Sequence, residues 1–206
     1  MPLTDTLPEP QLLRLACAGD EGAFAALYER LKGNVYRFAL HMTGSPTLAD
    51  DIVQDAFIAL IEEGEKYDES KGQLLSFLLG IARNFVRRSY RTQSRNTSLV
   101  SENAEGEEVE MALESQQDTV GEVLRGETVD LVREAVQSLP VHYREAVVLC
   151  DLCELSYAEA SKQLDCNLGT IRSRLNRAHG LLAKKLETRL TTPAKRAKGL
   201  FQGCLL

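Results

Sequence analysis

Ser156-Tyr157-Ala158-Glu159-Ala160-Ser161-Lys162-Gln163-Leu164-Asp165-Cys166-Asn167-Leu168-Gly169-Thr170-Ile171-Arg172-Ser173-Arg174-Leu175-Asn176-Arg177-Ala178 reads as two helices joined by a tight turn. Ser156 and Glu159 have the spacing of a capping box, in which each side chain satisfies a backbone N–H left unpaired at a helix start. The helix they open is short and carries the small Ala160, which lets a second helix approach. It ends near Asp165-Cys166, and Asn167 is a fitting cap for the helix that follows. At about 100° per residue, Ile171, Leu175, Ala178 and Leu182 share one narrow stripe. Ser173, Asn176, Arg177 and Gly180 fall opposite, with Arg172 and Arg174 on the flanks and Thr170 in the first turn. That is the layout of a helix lying in the DNA major groove, where polar side chains reach base edges and arginines neutralise phosphates. Arginines opposite leucines also occur on ordinary surface helices; the succession of cap, short helix, turn and second cap separates this stretch from them.

Working toward the N-terminus, the chain reads as helix almost throughout, and no period-2 strand pattern appears. Leu139-Pro140 opens a helix carrying Tyr143, Ala146, Val147 and Leu149, since Pro is tolerated in a first turn. Leu124, Val129, Val132, Ala135, Val136 and Leu139 form the apolar positions of the helix before it. Asp20 is suited to cap a helix with Phe24, Leu27, Tyr28, Leu31, Val35, Phe38 and Ala39, which stops at Gly44-Ser45-Pro46. Ser45 or Thr47 caps the next, with Ile52, Val53, Ala56, Phe57, Leu60 and Ile61 on its apolar face. After the polar loop Tyr67–Gly72 comes a third long helix, apolar at Leu74, Phe77, Leu78, Ile81, Ala82 and Phe85 and basic from Arg83 onward. Residues 93–122 are rich in Ser, Glu, Gln and Asn and cannot bury enough apolar surface to offset the entropy of ordering, so they read as a flexible linker. The expected fold is all-α: two small helical domains joined by a flexible acidic linker, the C-terminal one a helix-turn-helix. The expected bounds are 8–92, 93–122 and 123–188, with 189–206 a loose basic and apolar tail.

The 206 residues carry a net charge of −6, which by itself argues against nucleic acid. Its distribution argues the other way. Acidic residues crowd Glu102–Glu127, while basic ones gather at Arg83, Arg87, Arg88, Arg91 and Arg95 and again from Arg172 to Lys198. Two basic islands separated by an acidic bridge suggest two DNA-contacting units on one chain. Residues 1–10 have no basic and apolar leader pattern, and no stretch approaches the roughly 20 apolar residues of a membrane span. Five cysteines, an odd number at irregular spacing, fit reduced thiols better than a disulfide framework. The expectation is a cytoplasmic protein without membrane insertion. Cys150-Asp151-Leu152-Cys153 with Cys166 and His142 invites a zinc reading. A lone CxxC on apolar helical positions is better read as small buried hydrophobes, so no metal or other cofactor is expected. With no P-loop, dinucleotide fingerprint or nucleophile arrangement near His41 or His179, the chain is not expected to be an enzyme.

Leu168-Gly169-Thr170-Ile171-Arg172-Ser173-Arg174-Leu175-Asn176-Arg177-Ala178 resembles the recognition helix of bacterial sigma factors of the extracytoplasmic-function group. Leu139-Pro140, Tyr143-Arg144-Glu145 and Leu155–Ala160 resemble the first half of the same domain. Gly19-Asp20-Glu21, Ala23-Phe24 and Leu27-Tyr28 resemble the start of sigma region 2. Ala49-Asp50-Asp51-Ile52-Val53-Gln54-Asp55-Ala56-Phe57 is similar to the family's core-polymerase-binding helix. Tyr67–Gly72 with Leu78 and Ile81-Ala82-Arg83-Asn84 resembles its promoter-melting segment. The resemblance implies core RNA polymerase and promoter DNA as partners, and an anti-sigma factor as a regulator. It implies that Asp50, Asp51, Gln54 and Asp55 face the polymerase. It further implies that Lys66, Tyr67 and Asp68 hold an unstacked −10 base while Arg83, Asn84, Arg87 and Arg88 track the −10 strand. Thr170, Arg172, Ser173, Arg174, Asn176 and Arg177 would read the −35 element. The chain departs from the family at Phe77, where tryptophan is usual, and at Gly80, where a larger residue is usual. The alternative function is a helix-turn-helix regulator acting at an operator, dimeric and independent of polymerase.

Overall fold

The computed structural model describes residues 6–98 and 123–202, with side chains over 6–91 and 129–188. Among the described residues every regular element is helical. The N-terminal half consists of α1 (Glu9–Cys17), α2 (Glu21–Thr43), α3 (Pro46–Glu62) and α4 (Leu74–Ser98). Two 3₁₀ turns, Gly64–Lys66 and Glu69–Lys71, lie between α3 and α4. The C-terminal half consists of α5 (Val123–Gln137), α6 (Val141–Val147), a π-helical turn (Val148–Leu152), α7 (Tyr157–Gln163) and α8 (Leu168–Gln202).

Local chemistry sets the boundaries. Asp20 caps α2 by accepting from the Ala23 N–H at 2.8 Å. Gly44, at φ 74°, takes the left-handed conformation that ends α2 and donates its N–H to Leu40 O at 2.8 Å. Ser45 then accepts from the Leu48 N–H at 3.3 Å with Pro46 at the first helical position, so it is Ser45 that caps α3.

Leu27, Leu31, Val35 and Phe38 of α2 are buried against Ile52, Ala56, Phe57 and Leu60 of α3 and Leu74, Leu78, Leu79 and Ala82 of α4. An aromatic cluster seals one side, with the Tyr28 and Phe57 rings 4.8 Å apart and Phe24 edge-on to Phe57 at 6.3 Å. In the C-terminal half Val136, Leu139, Ala146, Leu149, Leu155, Ala160, Ile171, Leu175 and Ala178 are buried. These two sets merge into one hydrophobic cluster, with α2 touching the π turn and α5, and α4 touching α7. Hydrophobic burial on this scale is the main source of stability for so helical a chain.

Several elements differ from the sequence expectation. α1 is a helix with Leu12, Leu13 and Ala16 buried, where the sequence reading began only at Asp20. α5 turns Val129 and Val132 outward, 55% and 37% exposed, and buries Ala135 and Val136. α4 continues to Ser98, past the expected linker start, while the rest of that linker lies outside the described residues. α8 is described through Gln202, with its side chains described only as far as 188.

Candidate nucleic-acid interface

The α7–turn–α8 unit is built from its caps outward. Ser156 Oγ accepts from the Glu159 N–H at 3.3 Å, and Glu159 Oε2 accepts from the Ser156 N–H at 3.1 Å, closing the capping box. Asp165, at φ 48°, makes the sharp turn, and the Cys166 N–H returns to Ser161 O at 3.1 Å. The Thr170 N–H donates to Asn167 O at 2.9 Å as α8 begins. Ala160, Ile171 and Ala178 are fully buried and Leu175 nearly so, fixing the roll of α8. Arg172, Ser173, Asn176 and Arg177 are consequently exposed together, with Thr170 and Arg174 half-buried beside them. Tyr143, which the sequence reading assigned to a helix but not to the site, accepts from Arg177 Nη1 at 3.4 Å and packs against the His142 ring at 4.0 Å. This hydrogen bond restricts the rotamers open to the exposed Arg177 side chain.

The second basic surface lies where α4 leaves the loop after α3. An open cavity of about 510 Å³ is lined by Lys66, Tyr67, Asp68, Phe77, Arg83 and Asn84, with Lys162 and Gln163 of α7 along its edge. The Tyr67 hydroxyl donates to Gly72 O at 3.1 Å, and its ring meets that of Phe77 at 5.7 Å with a 49° tilt. Phe77 therefore faces the cavity while half-buried against the core. Asp68 accepts from the Ser70 hydroxyl at 2.7 Å and the Ser70 N–H at 3.0 Å and pairs with Lys71 at 3.0 Å. The Ser70 hydroxyl, then Lys71 and the Ser70 N–H, hold its carboxyl down to about 2, so it organises the loop as an anion at any physiological pH. Burial raises the Tyr67 phenol, with nearby Glu69, Glu9 and Asp68 adding to the effect.

Asn84, Arg87 and Arg88 are exposed on α4, but Arg83 is not. Its Nε donates to Glu145 Oε1 at 2.7 Å and its Nη1 to Gln163 O at 2.7 Å, with the Arg83 and Glu145 side chains 13% and 11% exposed. Four of the six predicted residues of α8 are thus exposed and two half-buried beside them, while Arg83 lines the same cavity as Lys66, Tyr67, Asp68 and Asn84 and is hydrogen-bonded there to the C-terminal half.

On α3, Ile52, Val53, Ala56 and Phe57 face the core, and Asp50, Asp51, Gln54 and Asp55 are all exposed on the far side. Ile58, 51% exposed, continues the Asp50–Gln54 line one turn on. It adds an apolar contact to an otherwise polar face, and its four-residue spacing from Gln54 is the signal that locates it.

Burial pushes the Cys150 thiol up to about 11 and that of Cys153 up to about 12. Cys153 is buried, with its Sγ 3.6 Å from Asn34 O. Among the described residues no group of three His, Cys, Asp or Glu is placed to hold a metal ion, and no helix is long and apolar enough to cross a membrane.

Two family models match the chain: Sigma-70 region 2 over residues 27–96 and Sigma-70, region 4 over residues 130–179. The chain is 26% identical over 188 residues to the ECF RNA polymerase sigma-E factor of Haemophilus influenzae, covering 90% of this chain and 98% of that one. It is 29% identical over 171 residues to the ECF RNA polymerase sigma factor SigW of Bacillus subtilis, covering 82% and 91%. Among solved structures, CnrH in complex with the cytosolic domain of CnrY aligns with a TM-score of 0.64 at 22% identity, over 87% of this chain and 97% of that one. The sigma factor RpoE of Bartonella quintana, in complex with the anti-sigma factor NepR, aligns at 0.59 and 24% identity over 76% and 92%. With both sigma regions matched, and relatives alike over nearly their whole lengths, this chain belongs to the extracytoplasmic-function group of the sigma-70 family.

Proposed function

We propose that the chain binds core RNA polymerase through the Asp50–Ile58 face of α3 and directs initiation at promoters it reads with two separate surfaces. Regions 8–92 and 123–188 are the two gripping units, and the acidic segment between them is their tether. The α8 face from Thr170 to Arg177 reads the −35 element from the major groove. The cavity around Lys66, Tyr67 and Asp68 receives a −10 base, and Arg83, Asn84, Arg87 and Arg88 follow the strand that leaves it. Extruding a base costs a few kcal/mol, which stacking on Tyr67 and Phe77 and polar contacts within the cavity offset. Nothing in this account asks the chain to catalyse a reaction; the polymerase supplies the chemistry and the site of action is the cytoplasm.

The observation that carries the reading is the roll of α8: burying Ile171, Leu175 and Ala178 leaves Arg172, Ser173, Asn176 and Arg177 as one solvent-facing reading edge. An anti-sigma factor is a further partner, supported by the likeness to a sigma factor solved in complex with its anti-sigma factor. Binding of the purified chain to immobilised core polymerase tests the first step. Asp51→Lys with Asp55→Lys should abolish retention, since like charge against a basic partner surface is strongly unfavourable. Retention equal to that of the unaltered chain would remove α3 from the interface.

A further inference from the structure

Arg177 stands at the end of the α8 reading edge, exposed to solvent. Among the described residues its guanidinium makes one hydrogen bond, and the partner belongs to another helix. Nη1 donates to the Tyr143 hydroxyl of α6 at 3.4 Å, from 34 residues away in sequence. Its own helix gives it less to lean on: one turn further, at Gly180, even an added Cβ would meet no atom within 4 Å. Tyr143, by contrast, is anchored. α6 packs on α8, with Ala146 and Val147 buried. The Tyr143 ring is half-buried against the core cluster and lies 4.0 Å from the His142 ring at a 58° tilt. A fixed ring thus sets a phenol oxygen beside a mobile cation.

Which nitrogen is held matters. A guanidinium donates from Nε and from both terminal nitrogens in one rigid plane. With Nη1 engaged by Tyr143, the Nε–H and the neighbouring Nη2–H remain side by side and parallel. That pair is a fork of the kind that meets O6 and N7 of a guanine in the major groove. Tyr143 therefore spends the donor that a side-on fork does not need.

We propose that Tyr143 is a positioning residue of the −35 grip, holding Arg177 by Nη1 so that Nε and Nη2 face one base. This rests on the −35 assignment of α8 made above. A long side chain on an exposed helix face otherwise has many rotamers to give up on binding. A tyrosine that narrows them in advance favours the base contact without touching DNA itself, and it brings α6 into the determination of promoter sequence.

The test uses the full chain with core polymerase and templates randomised in the −35 element, scored by run-off transcription. Tyr143→Phe removes the hydroxyl and keeps the ring and its packing, so folding is not at stake; urea unfolding should be unchanged. Arg177→Ala should flatten base preference at one −35 position. Tyr143→Phe should reduce preference at that same position by about 2- to 10-fold, the factor that goes with immobilising one flexible side chain, and leave the other positions as they were. The double variant should be no flatter than Arg177→Ala, because Tyr143 acts through the arginine. A loss spread evenly over all −35 positions would show a purely structural tyrosine and overturn the proposal. A position flattened by Arg177→Ala that Tyr143→Phe leaves untouched would also overturn it, with the −35 reading intact. If Arg177→Ala flattens no position, Arg177 reads no base, and its assignment falls together with the proposal.

Discussion

Replacing Ile171 by alanine probes how the reading edge of α8 is held. The side chain is fully buried on the face of α8 turned toward the rest of the C-terminal half, one turn before Leu175, which is 3% exposed. Truncation deletes three buried methyl or methylene carbons, worth about 0.8 kcal/mol each, roughly 2.4 kcal/mol in transfer free energy. A cavity term adds to this where the neighbours cannot relax, so the total falls at about 2.5–4 kcal/mol. Ala160 of α7, also fully buried, has only a methyl group and cannot fill a gap left on α8, which favours the upper part of that range. Urea unfolding followed by circular dichroism measures the loss, and Ile171→Val should cost about 0.5–1.5 kcal/mol on the same scale. With core polymerase in excess, Ile171→Ala should weaken initiation most at promoters that depend on the −35 element, because the edge Arg172–Arg177 loses its fixed roll. A stability change under about 0.5 kcal/mol together with a lost −35 preference would refute the reasoning, since Ile171 would then act by touching DNA.

Arg177→Ala should cost about 1–3 kcal/mol of binding and relax preference at one −35 position if the arginine grips a base bidentately; competition binding against single-base variants checks it, and a uniform loss marks a phosphate contact instead. His41 is largely buried near Arg133 and Arg37 with no partner for its Nδ1, and burial followed by these two cations lowers it to about 4. The unfolded chain therefore binds the extra proton between about pH 6.5 and pH 4, so stability is present above that window and falls on acidification through it. From pH 7 to pH 5 the loss should be about 1–2 kcal/mol by urea titration, allowing for partial solvent screening, and His41→Phe should flatten it. Cys153, buried against Asn34 O with its thiol held up at about 12, should resist iodoacetamide at neutral pH while exposed Cys17 is modified; peptide mapping reads both.

What the sequence disclosed and what it hid divide along physical lines. The helix-turn-helix was legible because its determinants are local: a Ser and a Glu three residues apart, an alanine where helices cross, and a stripe repeating every turn. The acid-and-amide row Asp50–Asp55 was legible as a helix face, and its meaning came from the family pattern. α1 escaped notice because Pro8 and Pro10 bracket its start, although Leu12, Leu13 and Ala16 repeat at helical spacing. For Val129 and Val132 periodicity identified the face but could not say how far a neighbour covers it. The Arg83–Glu145 pair was invisible for a different reason: 62 residues separate the partners, and no local pattern announces that a basic run will be met by one carboxylate from another element. The consequence is functional, since the family resemblance assigned the same arginine to the −10 strand.

The central claim is that this chain confers promoter specificity on polymerase rather than acting on DNA alone. Run-off transcription from a library of randomised −35 and −10 elements, with core enzyme present or absent, tests it most directly. The account predicts that transcripts appear only when chain and core are combined, and that the selected templates share two motifs at fixed spacing. Tight binding of the chain alone, as a dimer, to a palindromic site, with no initiation from any template on adding a compatible core enzyme, would contradict it.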